Sequence, residues 1–299
     1  MKLIEICYCQ NISLRIPESY HFTLTNSPYY AHLNFSAVDI YPPIGESIVL
    51  SPFDGILVFY KKLHEEHICG FKADTGYIRV LHVKPIVKVG EKVCTGDVLG
   101  ELQHSPTFRP WTDYHAHIEI RFNKEFIRAR GGQKLRVGND IITKLRSSTQ
   151  DLVLNLNNTI IEGRIYLIRR EKYIIIKPKH YHSGYLSPII VDINGLRGFL
   201  EGGIPYYRHG GVLINEYKDT KINVVMGGKP LGYVNKVYEH YLHITPYNIE
   251  FHIGKLPLKG ISLYINFRYI KAIPKSWEYV DLSEGDEVEL TLSNPEGHT

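Results

Sequence analysis

The chain has 299 residues, with 35 Lys and Arg against 31 Asp and Glu, for a formal charge of +4. It carries no long basic block of the kind that binds nucleic acid, and no apolar run long enough to span a membrane. Its length suits two domains, each able to bury a core.

Residues 1–11 contain no sustained apolar stretch and no small-residue cleavage site, so a cytoplasmic location is expected. Cys7-x-Cys9 puts two thiols on one strand face, and no second pair has zinc-ribbon spacing. Buried reduced thiols are expected, with a Cys69–Cys94 disulfide as the alternative. The 22 Tyr against 2 Met lean towards a thermophilic source. The stretch Ala31-His32-Leu33-Asn34-Phe35-Ser36-Ala37-Val38-Asp39-Ile40 supplies a histidine and a carboxylate just before a Pro-Pro-Ile-Gly turn. In Leu63-His64-Glu65-Glu66-His67 the histidines are three apart, where a zincin helix needs four, so a solvated loop or hairpin end is expected. Tyr77-Ile78-Arg79-Val80-Leu81 reads as a strand ending at His82. Residues 87–100 read as short strands joined by Gly-Glu and Gly-Asp turns. Residues 105–113, with Pro106, Phe108, Pro110 and Trp111, form a stiff and bulky segment.

Residues 114–122 then alternate like a half-buried strand. Ala116, Ile118, Ile120 and Phe122 share one face, and His115, His117, Glu119 and Arg121 share the other. Two imidazoles two residues apart on a polar strand face can converge on a metal or a reacting water. Glu119 is either an acceptor that orients a histidine or a solvated strand carboxylate.

In this order the blocks resemble the catalytic domain of lysostaphin-type zinc endopeptidases, which cut peptidoglycan cross-links. The resemblance covers residues 28–122: His32, Ala37-Val38-Asp39, Pro43-Ile44-Gly45, Asp54-Gly55, His82, the spaced set Val87, Gly90, Val93, Gly96, Leu99 and Gly100, and His115-Ala116-His117-Ile118-Glu119. It implies an antiparallel barrel-sandwich, akin to a duplicated hybrid motif. It also implies zinc held by His32, Asp39 and His117, with His115 and His82 as catalytic non-ligand histidines. Two imidazoles and a carboxylate leave a fourth tetrahedral position open, as a catalytic zinc site requires. Phe35 stands where the commonest pattern has its first histidine, and His32 lies seven residues before Asp39. A strand alternates faces, so this odd separation calls for a loop or bulge over residues 33–36, with Phe35 packed inward. His21 is the next candidate should His32 point elsewhere.

Residues 125–132 read as one short helical turn ending at glycines. The polar stretch of residues 146–151, followed by Asn155-Leu156-Asn157-Asn158, marks a boundary, giving domains 1–148 and 149–299. Beyond it, strands are expected over residues 160–168, 173–176, 189–193, 222–225, 261–267 and 288–292. His180-Tyr181-His182 reads as a loop without a companion carboxylate, and His240, His243 and His252 as ordinary partly buried histidines. Residues 224–234 echo the Gly-x-x-Leu-Gly shape of residues 93–102 and hint at a second barrel-like unit. Residues 202–211 read as a pair of hairpin turns, or else as glycines that let the backbone approach a ligand. Taken together, the chain reads as mostly β, a barrel-like N-terminal domain with a β-rich accessory domain. The function expected is a zinc metallohydrolase, a peptidase with a peptide-like substrate and no nucleic-acid partner. The alternatives are a non-catalytic binding module and a paired-histidine phosphoryl carrier.

Overall fold

The structure, a computed structural model, describes residues 1–150, 160–182 and 184–294. It is mostly β, and every strand pairing among the described residues is antiparallel. No helix among them is long and apolar enough to cross a membrane. The chain divides into two compact units, one of Met1–Leu24 with Tyr29–Ile142, the other of Thr25–Pro28 with Thr143–Thr299.

The first unit is built on a seven-stranded sheet. Its spatial order is Lys92–Val93, Gly55–Leu63, Glu66–Lys72, Tyr77–Leu81, Ala116–Arg121, Val38–Tyr41 and His21–Thr23. Two three-stranded sheets complete it, one of them carrying the Val98–Leu102 strand of the glycine-turn region. Ala116–Arg121 lies centrally, with Tyr77–Leu81 on one side and Val38–Tyr41 on the other.

That central strand is buried on both faces, not half-buried. Ala116, Ile118 and Ile120 enter the apolar core as the alternation predicts. The opposite face stays dry because its polar groups satisfy one another. Glu119 faces Arg79 across the ladder and accepts from its Nη1 at 2.7 Å. Arg121 Nε and Nη2 donate to the other Glu119 oxygen at 3.0 and 2.6 Å. Both guanidiniums also donate to main-chain carbonyls. Arg79 takes those of Phe126 and Ile127, and Arg121 takes those of Glu125, Arg128 and Arg130. This corrects the helical turn expected over residues 125–132. Carbonyls drawn onto two buried guanidiniums cannot align along a helix axis, and the segment is irregular, with bends at residues 127–129.

Residues 146–150, part of the polar stretch read as marking a boundary, are helical. They belong to the helix Asn139–Gln150. Ile141, Leu145 and Ser148 form its buried face at helical spacing, and the Ser147 and Ser148 hydroxyls bond back to the Lys144 carbonyl. With only two apolar positions in the buried stripe, composition alone shows a polar stretch and not a helix. The Asn155–Asn158 part of that reading lies outside the described residues.

In the second unit twelve strands form one continuous sheet. Pairing of Ile190–Ile193 with Leu196–Ile204 closes six strands into a ring, and pairing of Leu256–Leu263 with Ile270–Pro274 closes the other six. Five of the six expected strands are present within a residue or two; the sixth, expected over residues 261–267, lies earlier, at Leu256–Leu263, and a common aliphatic core fills the unit. The glycines of residues 202–211 are not a pair of turns. They lie within two strands, Leu196–Ile204 and Gly210–Ile214, that form one hairpin. Gly211 is needed there because a Cβ would collide with the Tyr241 hydroxyl, which bonds the buried Glu201. The four cysteines are unpaired, Cys7 and Cys69 buried as expected and Cys94 exposed.

The Arg79–Glu119–Arg121 network yields the first prediction. Arg121→Ala would strip one partner from a buried carboxylate and orphan the carbonyls of Glu125, Arg128 and Arg130. Loss of a partner from a buried ion pair costs about 3–5 kcal/mol. Thermal or urea unfolding should show a loss of that order, and a variant within about 0.5 kcal/mol of the parent would contradict the account.

Candidate metal centre

The cross-strand register assembles the site. His117 stands directly opposite Asp39, and Asp39 directly opposite Thr23. One step along the sheet, Tyr41 pairs with His21, and its ring lies 5.1 Å from those of both His21 and His115. His21 stacks on Tyr41 at an interplanar angle of 10° and supplies no donor to the cluster.

His32 arrives by a route the sequence does not spell out. The loop or bulge expected over residues 33–36 is a loop: the short helix Tyr30–Leu33 runs into a turn with Phe35 in the left-handed region at φ +55°. The Ser36 amide and hydroxyl both bond the Ala31 carbonyl, closing the turn, and Phe35 packs inward as expected. The odd separation is thereby absorbed, and His32 and Asp39 face each other.

His32, Asp39 and His117 form the one group of three or more possible ligands, among the described residues, whose donor atoms all lie within 4.8 Å. His32 Nε2 is 3.2 Å from Asp39 Oδ1 and 3.2 Å from His117 Nδ1, and His117 Nδ1 is 2.8 Å from Asp39 Oδ1. Tetrahedral ligands about 2.0–2.1 Å from zinc stand about 3.3 Å from one another. The donor types and the spacing therefore fit that metal. The set is also dry, since His32 and Asp39 are each 1% exposed and His117 is 8% exposed.

Each imidazole around the centre commits one N–H outward. His32 Nδ1 donates to the Leu24 carbonyl at 2.9 Å, and His117 Nε2 to Glu119 Oε1 at 3.1 Å. His115 Nδ1 donates to the Asp113 carbonyl at 2.8 Å, and His82 Nδ1 to Glu66 Oε1 at 2.9 Å. Such outer bonds fix which nitrogen carries the lone pair. Glu119 is thus an orienting acceptor, not a solvated carboxylate.

His82 and His115 lie beside the triad with ring centroids 5.1 Å apart, and His115 Nε2 is 3.6 Å from Asp39 Oδ2. Phe108 lies flat on His115 and edge-on to His82, each at 4.8 Å. His82 sits at φ +65°, where a non-glycine residue stores of order 1–3 kcal/mol. Sequence reasoning missed Glu66, Ser105 and the packing of Phe108 onto both rings. Glu66 stood in the segment compared with a zincin helix, and only the pairing of Glu66–Lys72 with Tyr77–Leu81 brings it to His82.

Electrostatics divide the histidines. Burial opposes charge on His117, but hydrogen bonds to Asp39 and Glu119 outweigh it and raise the ring to about 9. Burial lowers His115 to about 4, against the pull of Asp39, and also lowers His82, against Glu66. Burial works against the Asp39 carboxylate too, yet His32, His115 and His117 together hold it well below the usual range. Glu119, despite its burial, is drawn down to about 2 by His117, Arg79 and Arg121. The other histidine pair, His180 and His182, lies in a loop as expected and joins no ligand group among the described residues.

A family model described as "Domain of unknown function (DUF8155) N-terminal domain" matches residues 12–137, which contain the whole site. No curated protein matches the chain. Among solved structures, that of the antimicrobial peptidase lysostaphin from Staphylococcus simulans is similar at 14% identity, over 92% of this chain and 96% of that one, with a TM-score of 0.30. A TM-score of that size does not define a shared arrangement, so the chemistry rests on the site's own donors and distances.

Without metal, one proton on His117 Nδ1 lies among the three donor atoms, and with the ring at about 9 it is present at pH 7. Zinc must displace it, so zinc uptake at pH 7 should release about one proton per chain and weaken as pH falls. Titration calorimetry in buffers of different ionisation enthalpy measures that proton. Uptake independent of buffer would contradict the reading of His117.

Proposed function

We propose that this protein is a zinc-dependent metallohydrolase that cleaves a peptide or amide bond. The observation that carries the reading is the buried triangle of His32 Nε2, Asp39 Oδ1 and His117 Nδ1, spaced like three corners of a tetrahedron. Two imidazoles and one carboxylate suit zinc better than magnesium or calcium, which want oxygen ligands. Zinc in such a set polarises a carbonyl and lowers the pKa of a water to about 7.

The chain's own residues supply the proton chemistry. His115 and His82 each spend Nδ1–H on an outer acceptor, which leaves Nε2 as the lone-pair nitrogen. The lowering of both rings keeps them neutral at pH 7. A neutral imidazole can take a proton from an attacking water and return it to the leaving amine, and a protonated one can donate to a developing oxyanion. Phe108 covers both rings and keeps bulk water from them. The phosphoryl-carrier alternative fits poorly. A phosphoryl group on His115 Nε2 would meet the Asp39 carboxylate, 3.6 Å away.

Protein purified without chelator should carry about one zinc per chain by elemental analysis. Asp39→Ala and His117→Ala should lose it. His115→Ala and His82→Ala should keep it, and cut a quenched-fluorescence peptide mixture about a hundredfold more slowly than the parent. Protein that takes up no zinc even when it is added would overturn the proposal.

A further inference from the structure

Glu66 follows the two-residue turn His64-Glu65 at the end of a hairpin, a place where a carboxylate ordinarily faces water. Here it is clasped at both oxygens. Oε1 accepts from His82 Nδ1–H at 2.9 Å and from the His82 amide at 3.1 Å. Oε2 accepts from the Ser105 hydroxyl at 2.6 Å. The carboxylate cannot rotate without losing one of these bonds, and the ring it holds cannot turn without losing another.

The His82 backbone is pinned in the same way. Its amide also meets the His67 carbonyl at 3.1 Å, and its carbonyl accepts from the Gln103 amide at 2.7 Å. These contacts hold a left-handed conformation that a histidine would not adopt unaided. The product is a ring set 5.1 Å from His115 and 6.1 Å from His117.

The two non-ligand histidines differ in what stands behind them. His115 Nδ1–H meets a neutral carbonyl, that of Asp113. His82 Nδ1–H meets an anion. A carboxylate makes the stronger hydrogen bond and steadies the ring once its other nitrogen gains a proton, which a carbonyl does less well.

We propose that Glu66 is the positioning residue of this site, holding His82 in one tautomer and one orientation so that its Nε2 is the atom that receives the proton. The inference rests on the hydrolase reading for its catalytic meaning. In the step it describes, the water oxygen bonds to the amide carbon as one of its O–H bonds breaks, an N–H bond forms at His82 Nε2, and the amide C–N bond then breaks. Nδ1–H stays on the ring, shared with an ionised Glu66. The Nε2 proton then passes to the leaving amine nitrogen, which restores the neutral ring.

The test uses the full zinc-loaded chain and two readouts. Proton NMR should show a low-field imidazole N–H resonance that disappears in His82→Ala and in Glu66→Ala. Glu66→Gln, close in shape, should move it upfield, because a neutral acceptor replaces an anion. Zinc content should be unchanged in all three, since none removes His32, Asp39 or His117. On any peptide that the parent cuts, Glu66→Gln should lower kcat about 10- to 100-fold with KM unchanged. A resonance that keeps its parent position in Glu66→Gln overturns the inference, as does a parent without that resonance or a Glu66→Gln protein with parent kcat. Should Glu66→Ala fail to fold, Glu66→Gln carries the comparison. If the parent binds zinc and cuts no peptide, the hydrolase reading fails, while the NMR series still decides whether Glu66 positions His82.

Discussion

A carboxylate that is 1% exposed has given up nearly all its water, and Asp39 stays ionised only because imidazoles surround it. That constraint organises the site. His32, His115 and His117 each bring a nitrogen to within 3.6 Å of an Asp39 oxygen. A histidine that points one nitrogen inward must find a partner for the other, so a second layer of acceptors follows: the carbonyls of Leu24 and Asp113 and the carboxylates of Glu119 and Glu66. The same layer selects the tautomers. A metal can use the inward nitrogens only because the outward ones are already occupied by N–H.

The second layer needs support of its own, since Glu119 is another buried anion. Two arginines provide it, and they also gather main-chain carbonyls between residues 125 and 130. A chain of hydrogen bonds thus runs from a surface segment through Arg121 and Glu119 to His117 and Asp39. Such a network is costly to desolvate and costly to break. Its return is rigidity: His117 is held through both nitrogens. Phe108 and Tyr41 add apolar walls to His115, and removal of water from this space strengthens every electrostatic contact within it.

The second unit solves a different problem. Twelve strands in one sheet would leave long edges, and closing them into two rings of six removes most of that liability. Its buried polar groups are internally matched. Glu201 accepts from Tyr241 and from Thr25, a residue supplied by the short Thr25–Pro28 segment of the same unit. The chain leaves the first unit immediately after Leu24, whose carbonyl fixes His32, and returns at Tyr29, just before the turn that carries His32.

Local pattern was enough to read the β class, the strand that carries His115 and His117, and its apolar face, because a period of two is written in consecutive residues. The order of motif blocks singled out His32, Asp39, His82, His115 and His117 as a set, and the structure brings all five together. Local pattern could not show that the polar face of that strand is buried. Glu119 is dry only because Arg79, forty positions earlier, lies opposite it in the ladder. Nor could it place Glu66, whose role depends on the register between two hairpin strands, or foresee that guanidiniums would unwind the expected turn at residues 125–132. Residue types and strand period are properties of neighbours along the chain, and a sequence determines them directly. Which buried charge meets which partner depends on distances between segments far apart in the chain, and only the packed tertiary structure decides those.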